Sequence, residues 1–250
     1  MTVVVAYKYA ANPQDASVGA DGVVDWSRAK SAVSEYDPVA IQLGRNLADA
    51  EGVELVGVTV GKSDVAGSMA KKNAMSKGFD RGVVVADDAT AGWNATKVAS
   101  ALAELVKTVE GADILLAGDS SIDEGTKIVP ALVAGFLGWP AFQGVSAVAK
   151  TADGYEITQN VPGGSRTIAV SGPVVVSASS DAVAPKVPSM KDILAAGKKP
   201  VEKVEVPSVD VEVTVVGRSK PERKARKNKI FEGADAPAQL VAALRADGVL

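Results

Sequence analysis

"ADILLAGDSSIDEGTKIVPALVAGFLGWP", residues 112–140, passes from an almost unbroken apolar run through a polar turn, punctuated by Gly118 and Gly125, into a second apolar run. The first run has the length and continuity of a strand buried on both faces of a parallel sheet. The second reads as a helix. The same strand texture occurs upstream in "TVVVAYK" (2–8), "VELVGVTV" (53–60) and "RGVVVAD" (81–87), with longer helical stretches between them. Asp37-Pro38 opens the first of these. An Asp side chain can cap free N–H groups, and Pro costs nothing in a first turn whose donors are unpaired anyway. A helix is expected from there to about residue 51. Residues 62–77 and 94–109 are further candidates, the latter with Val98, Leu102, Leu105 and Val109 on one face. Alternation of strand and helix predicts a doubly wound, mostly parallel α/β sheet.

Beyond residue 140 the texture changes. Turn signals at Asp153-Gly154 and Gly163-Gly164 separate short runs and predict added antiparallel strands, with helix scarce. From Asp181 the chain is rich in Pro and Lys. The stretch 216–233, "VGRSKPERKARKNKIFEG", is strongly basic, and residues 237–250 read as an amphipathic helix. The expected division is therefore an α/β domain over 1–195 and an extended arm with a terminal helix over 196–250.

With 250 residues, 47% of them hydrophobic and 23% charged, the chain can bury a sizeable core. It has 0 Cys and 0 His, which excludes disulfides, thiolate nucleophiles, the usual zinc ligand sets and histidine acid–base catalysis. A net charge of -3 gives no overall attraction to nucleic acid or anionic lipid, and no apolar run approaches the roughly 20 residues of a bilayer span. No membrane insertion is expected. "MTVVVAYKYA" reads directly as a strand with no basic region before an apolar one, so the expected location is cytoplasmic.

In doubly wound sheets ligands bind beyond the carboxyl ends of the strands, where residues 118–126 fall. Gly118 permits a tight exit from the strand. Ser120, Ser121, Asp123 and Thr126 supply hydroxyls and carboxylates, and the free N–H groups of a following helix suit a phosphate. An anionic ligand with a sugar is one reading; a plain helix cap by Ser or Asp is the other, since the turn is neither a P-loop nor a GxGxxG fingerprint. Ala6 is open in the same way. It is either packing or a small residue against which an adenine can lie.

At five places the residues resemble, in order and spacing, the β subunit of electron transfer flavoproteins: "VVAYK" (4–8), "SEYDPVAIQL" (34–43), "KGFDRGVVV" (77–85), "GDSSIDEGTKIVPALVAGFLGWP" (118–140) and "PKVPSMKDILAAGKKPV" (185–201). "GDSSID" and the long "PSMKDILAAGKKP" are most similar to the anaerobic Fix-type branch. The resemblance implies a Rossmann-like, adenine-nucleotide-binding fold in a heterodimer with an α subunit that makes most contacts to the redox FAD. It implies a carrier without catalysis of its own, serving an acyl-CoA-type dehydrogenase, and a β pocket that holds AMP or, in electron-bifurcating members, a second FAD. By motif, that pocket comprises Ala6; Asp37, Pro38, Val39 and Ala40; Val60; and Ser121, Ile122, Asp123, Glu124, Gly125, Thr126, Lys127, Ile128, Val129, Pro130, Ala131 and Leu132. The N–H groups of Gly125, Thr126 and the next helical turn would face the phosphate, and Asp123 would order the loop or meet the ribose. AMP-binding members carry Asn-Gln-Thr where this chain has Lys127, Ile128 and Val129. Thr126 and Val129 resemble the bifurcating pattern, while Ile128 and Pro130 depart from it.

The resemblance also marks a partner site. Met190, with Pro188, Lys191 and Ile193, falls where the family places an apolar anchor for the dehydrogenase; the other reading of Met190 is a core residue. Lys198 and Lys199 either steer an acidic partner or cap the preceding helix. Arg218, Lys220, Arg223, Lys224, Arg226, Lys227 and Lys229 have no interleaved aromatic before Phe231, so an arm on the α subunit is expected rather than a nucleic-acid site. On that arm Phe231, Leu240, Val241 and Leu244 would be exposed in the isolated chain. The alternative from another class is a stand-alone nucleotide-binding protein of the universal-stress type.

Overall fold

The computed structural model describes residues 1–207, 209–214, 216–217, 222 and 225–250. Arg218, Lys220, Arg223 and Lys224 of the basic stretch lie outside the described residues. In chain order the strands are β1 (Thr2–Ala6), β2 (Tyr9–Ala11), β3 (Ser17–Val18), β4 (Val24–Asp25), β5 (Ser31–Val33), β6 (Leu55–Gly61), β7 (Arg81–Ala86), β8 (Ala112–Gly118), β9 (Ala141–Lys150), β10 (Gly154–Val161), β11 (Gly164–Ser171), β12 (Val174–Ala178) and β13 (Val201–Lys203). The α-helices are α1 (Asp37–Glu51), α2 (Ser68–Met75), α3 (Ala95–Thr108), α4 (Val129–Leu137), α5 (Met190–Ala196) and α6 (Ala236–Ala246).

Nine strands form one sheet in the order β11-β10-β9-β12-β8-β1-β6-β7-β13. The pairs from β9 through β12, β8, β1, β6 and β7 to β13 are parallel, and β9, β10 and β11 form an antiparallel extension. Alternate strand residues face opposite layers. Val3, Val5, Ile114, Leu116, Val174 and Val176 pack beneath α1 and α2. Val4, Val56, Val58, Val83, Leu115 and Val175 pack against α3 and α4. Each buried aliphatic side chain contributes roughly 1.5–3 kcal/mol relative to exposure, so a strand apolar on both faces stabilises both layers. The expected doubly wound α/β fold is therefore present, with its antiparallel addition.

Three local expectations are corrected. Residues 62–77 are not one helix. A 3-10 turn (Ser63–Ala66) is followed by an extended Gly67 (φ -67, ψ 158) before α2 begins. The Gly67 N–H closes that turn on the Asp64 carbonyl at 2.9 Å, while Asp88 takes the Ser63 N–H and hydroxyl at 3.0 and 2.7 Å. A tertiary carboxylate thus fixes the turn and prevents continuous helix. Strand β12 is parallel to both neighbours rather than antiparallel, in keeping with its complete burial. The terminal helix stops at Ala246, after which Gly248 adopts φ 68 and donates to the Arg245 carbonyl.

The chain divides into two compact units, Met1–Thr214 and Val215–Leu250. Strand β13, within the stretch read as arm, extends the sheet through β7. In the second unit, Leu240 and Val241 of α6 are exposed, whereas Phe231 and Leu244 are half-buried.

Candidate functional site

The chain enters the sheet at β1, moves outward to β6 and β7, then crosses back through α3 to β8 on the other side of β1. This reversal between β1 and β8 opens a crevice at the strands' carboxyl ends, where a doubly wound sheet binds ligands. A cavity of about 610 Å³ occupies it, within the range that takes a cofactor-sized molecule. It is lined by residues that follow β1, β6, β7 and β8 and by the first turns of α3 and α4.

Two chain segments approach very closely at its floor. Asp37 is buried, and its Oδ2 accepts the Lys8 N–H at 2.7 Å, tying the exit of β1 to the start of α1. It does not cap its own helix: the N-cap is Tyr36, with no side-chain bond. A Cβ on Gly118 would lie 2.5 Å from Asp37 Oδ1 and 2.9 Å from the Tyr36 carbonyl carbon, so only glycine fits there. Burial raises the Asp37 pKa from 3.8 to about 7, against the lowering pull of the Lys8 and Gly118 N–H groups and the Lys8 charge. Asp37 is thus protonated at mildly acidic pH and about half ionised near neutral pH.

Above it, the turn 119–128 is a loop and not a helix start. Helix α4 begins at Val129 with Ile128 as N-cap and no capping side chain. The plain-cap reading of Ser121 and Asp123 therefore fails. Both hold the loop instead: Ser121 Oγ and carbonyl accept the Gly125 N–H at 3.3 and 3.1 Å, and Asp123 Oδ1 accepts the Glu124 N–H at 2.9 Å. The Gly125 N–H is consequently spent and does not face a ligand. Ile122 donates its N–H to Ser34 Oγ at 3.2 Å, which pins the loop to the segment before α1. Lys127 adopts φ 59, a left-handed conformation that costs a non-glycine residue on the order of 1 kcal/mol. Its carbonyl accepts from Gln143 at 3.0 Å and its ammonium pairs with Asp119 at 2.7 Å, which together hold the strained geometry.

Two ion pairs neutralise part of the charge here. Asp123 pairs with Lys8 at 2.7 Å; burial opposes its ionisation, but the Lys8 ammonium and the Ser121 and Glu124 donors keep its pKa below the usual value. The hydrogen bond to Asp119 raises the pKa of Lys127. Of the carboxylates of this turn that line the cavity, Asp119 and Asp123 are each paired with a lysine, while Glu124 makes no ion pair among the described residues. The N–H groups of Thr126, Lys127 and Val129 and the Thr126 hydroxyl have no acceptor among the described residues, and all three residues line the cavity. Unpaired donors on adjacent backbone N–H groups and a hydroxyl suit a phosphate.

Of the residues named from sequence, Ala6, Asp37, Val60, Ser121, Asp123, Glu124, Thr126, Lys127, Val129 and Pro130 line the cavity. Pro38, Val39, Ala40, Ile122, Gly125, Ile128, Ala131 and Leu132 do not; Val39 and Ala40 point into the core beneath α1. Sequence reading missed Tyr9, Trp26, Lys62, Thr90 and Trp93, which line the cavity from other loops. Residues 88–93 follow the carboxyl end of β7, and that position alone was the available signal.

At the second site, α5 starts with a capping box between Ser189 and Asp192. Met190 is 73% exposed, so the core reading of it fails. Leu194, one turn on and not anticipated, is 67% exposed beside it, and Val187 is exposed too. Lys191 is exposed, whereas Pro188 and Ile193 are half-buried. Lys199 caps a helix other than the one preceding it: its ammonium donates to the Met75 and Phe79 carbonyls at the end of α2, at 3.2 and 2.5 Å.

Fold and cavity together define an α/β protein with a cofactor-sized recess at the switch point of a doubly wound sheet. A family model, described as the electron transfer flavoprotein domain, matches residues 21–209. The chain belongs to the electron transfer flavoprotein family, whose members are electron carriers rather than enzymes. Among the described residues no helix is long and apolar enough to cross a membrane.

Proposed function

We propose that the chain is the β subunit of a heterodimeric electron transfer flavoprotein of the Fix-type branch, cytoplasmic, with its own cavity holding an adenine nucleotide. The nucleotide is AMP or the adenosine phosphate half of a second FAD. Electrons pass from a dehydrogenase of the acyl-CoA type to an acceptor through the FAD held mainly by the α subunit. The observation that carries this reading is the trio of unpaired donors, Thr126, Lys127 and Val129, lining the cavity at the switch point beside two lysine–carboxylate pairs. The redox chemistry is the flavin's; this chain binds, orients and excludes water, which needs no histidine or cysteine. Met190 and Leu194, exposed one turn apart on α5 beside Lys191, are the apolar knob offered to the dehydrogenase.

The nucleotide reading is tested by replacing Thr126 by Ala and Asp123 by Asn together. The first change removes a free hydroxyl, and the second weakens the Lys8 ion pair that shapes the loop. Losing the Thr126 hydroxyl's hydrogen bond, about 1 kcal/mol, together with a loop loosened by a comparable amount, corresponds to a loss of roughly tenfold or more in nucleotide affinity. Equilibrium dialysis with radiolabelled AMP measures it. Wild-type affinity in the double variant would return the turn to a purely structural role.

A further inference from the structure

Trp26 and Trp93, two of the three tryptophans in the chain, line the same cavity from separate loops. They are held in different ways. Trp93 is wedged between two capped elements: Asp87 caps the 3-10 helix (Asp88–Gly92) by accepting from Ala89, the Trp93 N–H closes on the Thr90 carbonyl at 3.0 Å, and Asn94 caps α3 through Lys97. It is a half-buried, fixed wall. Trp26 follows the β3–β4 hairpin, whose ladder, among the described residues, is with itself alone. The hairpin segment is tied at its base by the Asn12 N–H to the Lys30 carbonyl at 3.0 Å and the Lys30 N–H to Asp15 at 3.3 Å. Trp26 is 42% exposed although it lines a cavity.

A large aromatic left half in water beside a recess has lost little by folding and has area to gain from a flat ligand. The cavity's cations divide in a way that agrees. Lys8 and Lys127 are paired at the phosphate end, whereas Lys62, after β6, makes no ion pair among the described residues and acts on Asp88 only at longer range. Aromatic faces with an unpaired cation are the lining expected for a heteroaromatic ring and its polar edge.

On the reading that the cavity holds a nucleotide by its phosphate at the 119–128 turn, we infer that Trp26 and Trp93 bind the nucleotide's planar heteroaromatic ring, Trp93 as fixed wall and Trp26 as the strap-borne face that closes on it. Adenine and isoalloxazine share the chemistry this requires. Stacking is worth about 1–3 kcal/mol per ring, or roughly 5- to 150-fold in affinity.

The test titrates the full-length chain, stripped of nucleotide, with AMP in one arm and FAD in the other, and reads tryptophan emission. Trp139, which packs against the α3–α4 core cluster outside the cavity, is the internal reference. Saturable quenching is expected, with Trp26→Leu and Trp93→Leu each weakening binding about tenfold and Trp93→Phe recovering most of the loss. The arm that binds saturably tells which nucleotide the cavity takes, and the loss of affinity in the Leu variants tells whether its ring is stacked. Unchanged affinity and quenching in both Leu variants, while the Thr126/Asp123 double variant is weakened, overturns the stacking inference and leaves the nucleotide reading standing. Failure of wild type to bind either nucleotide overturns both.

Discussion

Asp37→Asn is expected to abolish a fall in stability that the wild-type chain shows between about pH 4 and pH 7. Burial raises the folded-state pKa of Asp37 from 3.8 to about 7. In that window the native protein keeps a proton that the unfolded chain has released, so stability decreases as pH rises and is constant again above the folded pKa. A difference of this size corresponds to on the order of 4 kcal/mol. Asparagine keeps an acceptor for the Lys8 N–H and cannot ionise. The variant should therefore match wild type near pH 4 and exceed it at pH 8, when both are unfolded in urea over a pH series. Parallel pH profiles would mean that Asp37 titrates in the fold as it does in the unfolded chain, and the raised pKa assigned to its burial would fail.

Gly118→Ala is expected to lower Tm by about 2–12 °C and to weaken retention of a nucleotide in the cavity. The added methyl would stand 2.5 Å from Asp37 Oδ1 and 2.9 Å from main chain at Tyr36, and neither neighbour is a free-swinging side-chain end. Overpacking of this kind costs about 1–3 kcal/mol in a well-packed site, and each kcal/mol moves Tm by about 2–4 °C in a domain of this size. The shift separates the exit of β8 from the start of α1, so the loop that Ile122 pins to Ser34 moves as well. Scanning calorimetry together with nucleotide counting reads both effects. A wild-type Tm would show that the two segments part without cost.

Most of the sheet was legible because its strands are buried on both faces and read as continuous apolar runs; β8 ends where the sequence places it. Helix α1 was legible from Asp37-Pro38 and α3 from the apolar face of Val98, Leu102, Leu105 and Val109, although in α1 the physical role of the Asp is different from the one expected. The break at Gly67 was not, since it depends on Asp88, 21 positions away in the chain, meeting Ser63. Nor was the direction of β12, because a run of three buried valines has the same texture in either orientation.

The cavity was legible in half. The turn after β8 stands out by its polarity between apolar runs, so Asp123, Thr126 and Lys127 could be found. Its internal use of the Gly125 N–H could not, because Lys127 adopts a conformation that residue type disfavours. Trp26, Lys62 and Trp93 come from loops with no local signature, and only the folding of β6 and β7 beside β1 brings them to one recess.

The central claim, that this chain's own cavity holds an adenine nucleotide beside the flavin of its partner subunit, is tested most directly by stoichiometry. The chain is co-expressed with an α-type subunit of the same family, the purified complex is denatured in acid, and the released nucleotides are identified and counted by mass spectrometry. One FAD with one AMP, or two FAD, per heterodimer is the predicted result, and the choice between them tells whether the cavity takes a mononucleotide or a second flavin. A heterodimer with one FAD and no second nucleotide, or no heterodimer at all, would contradict the account.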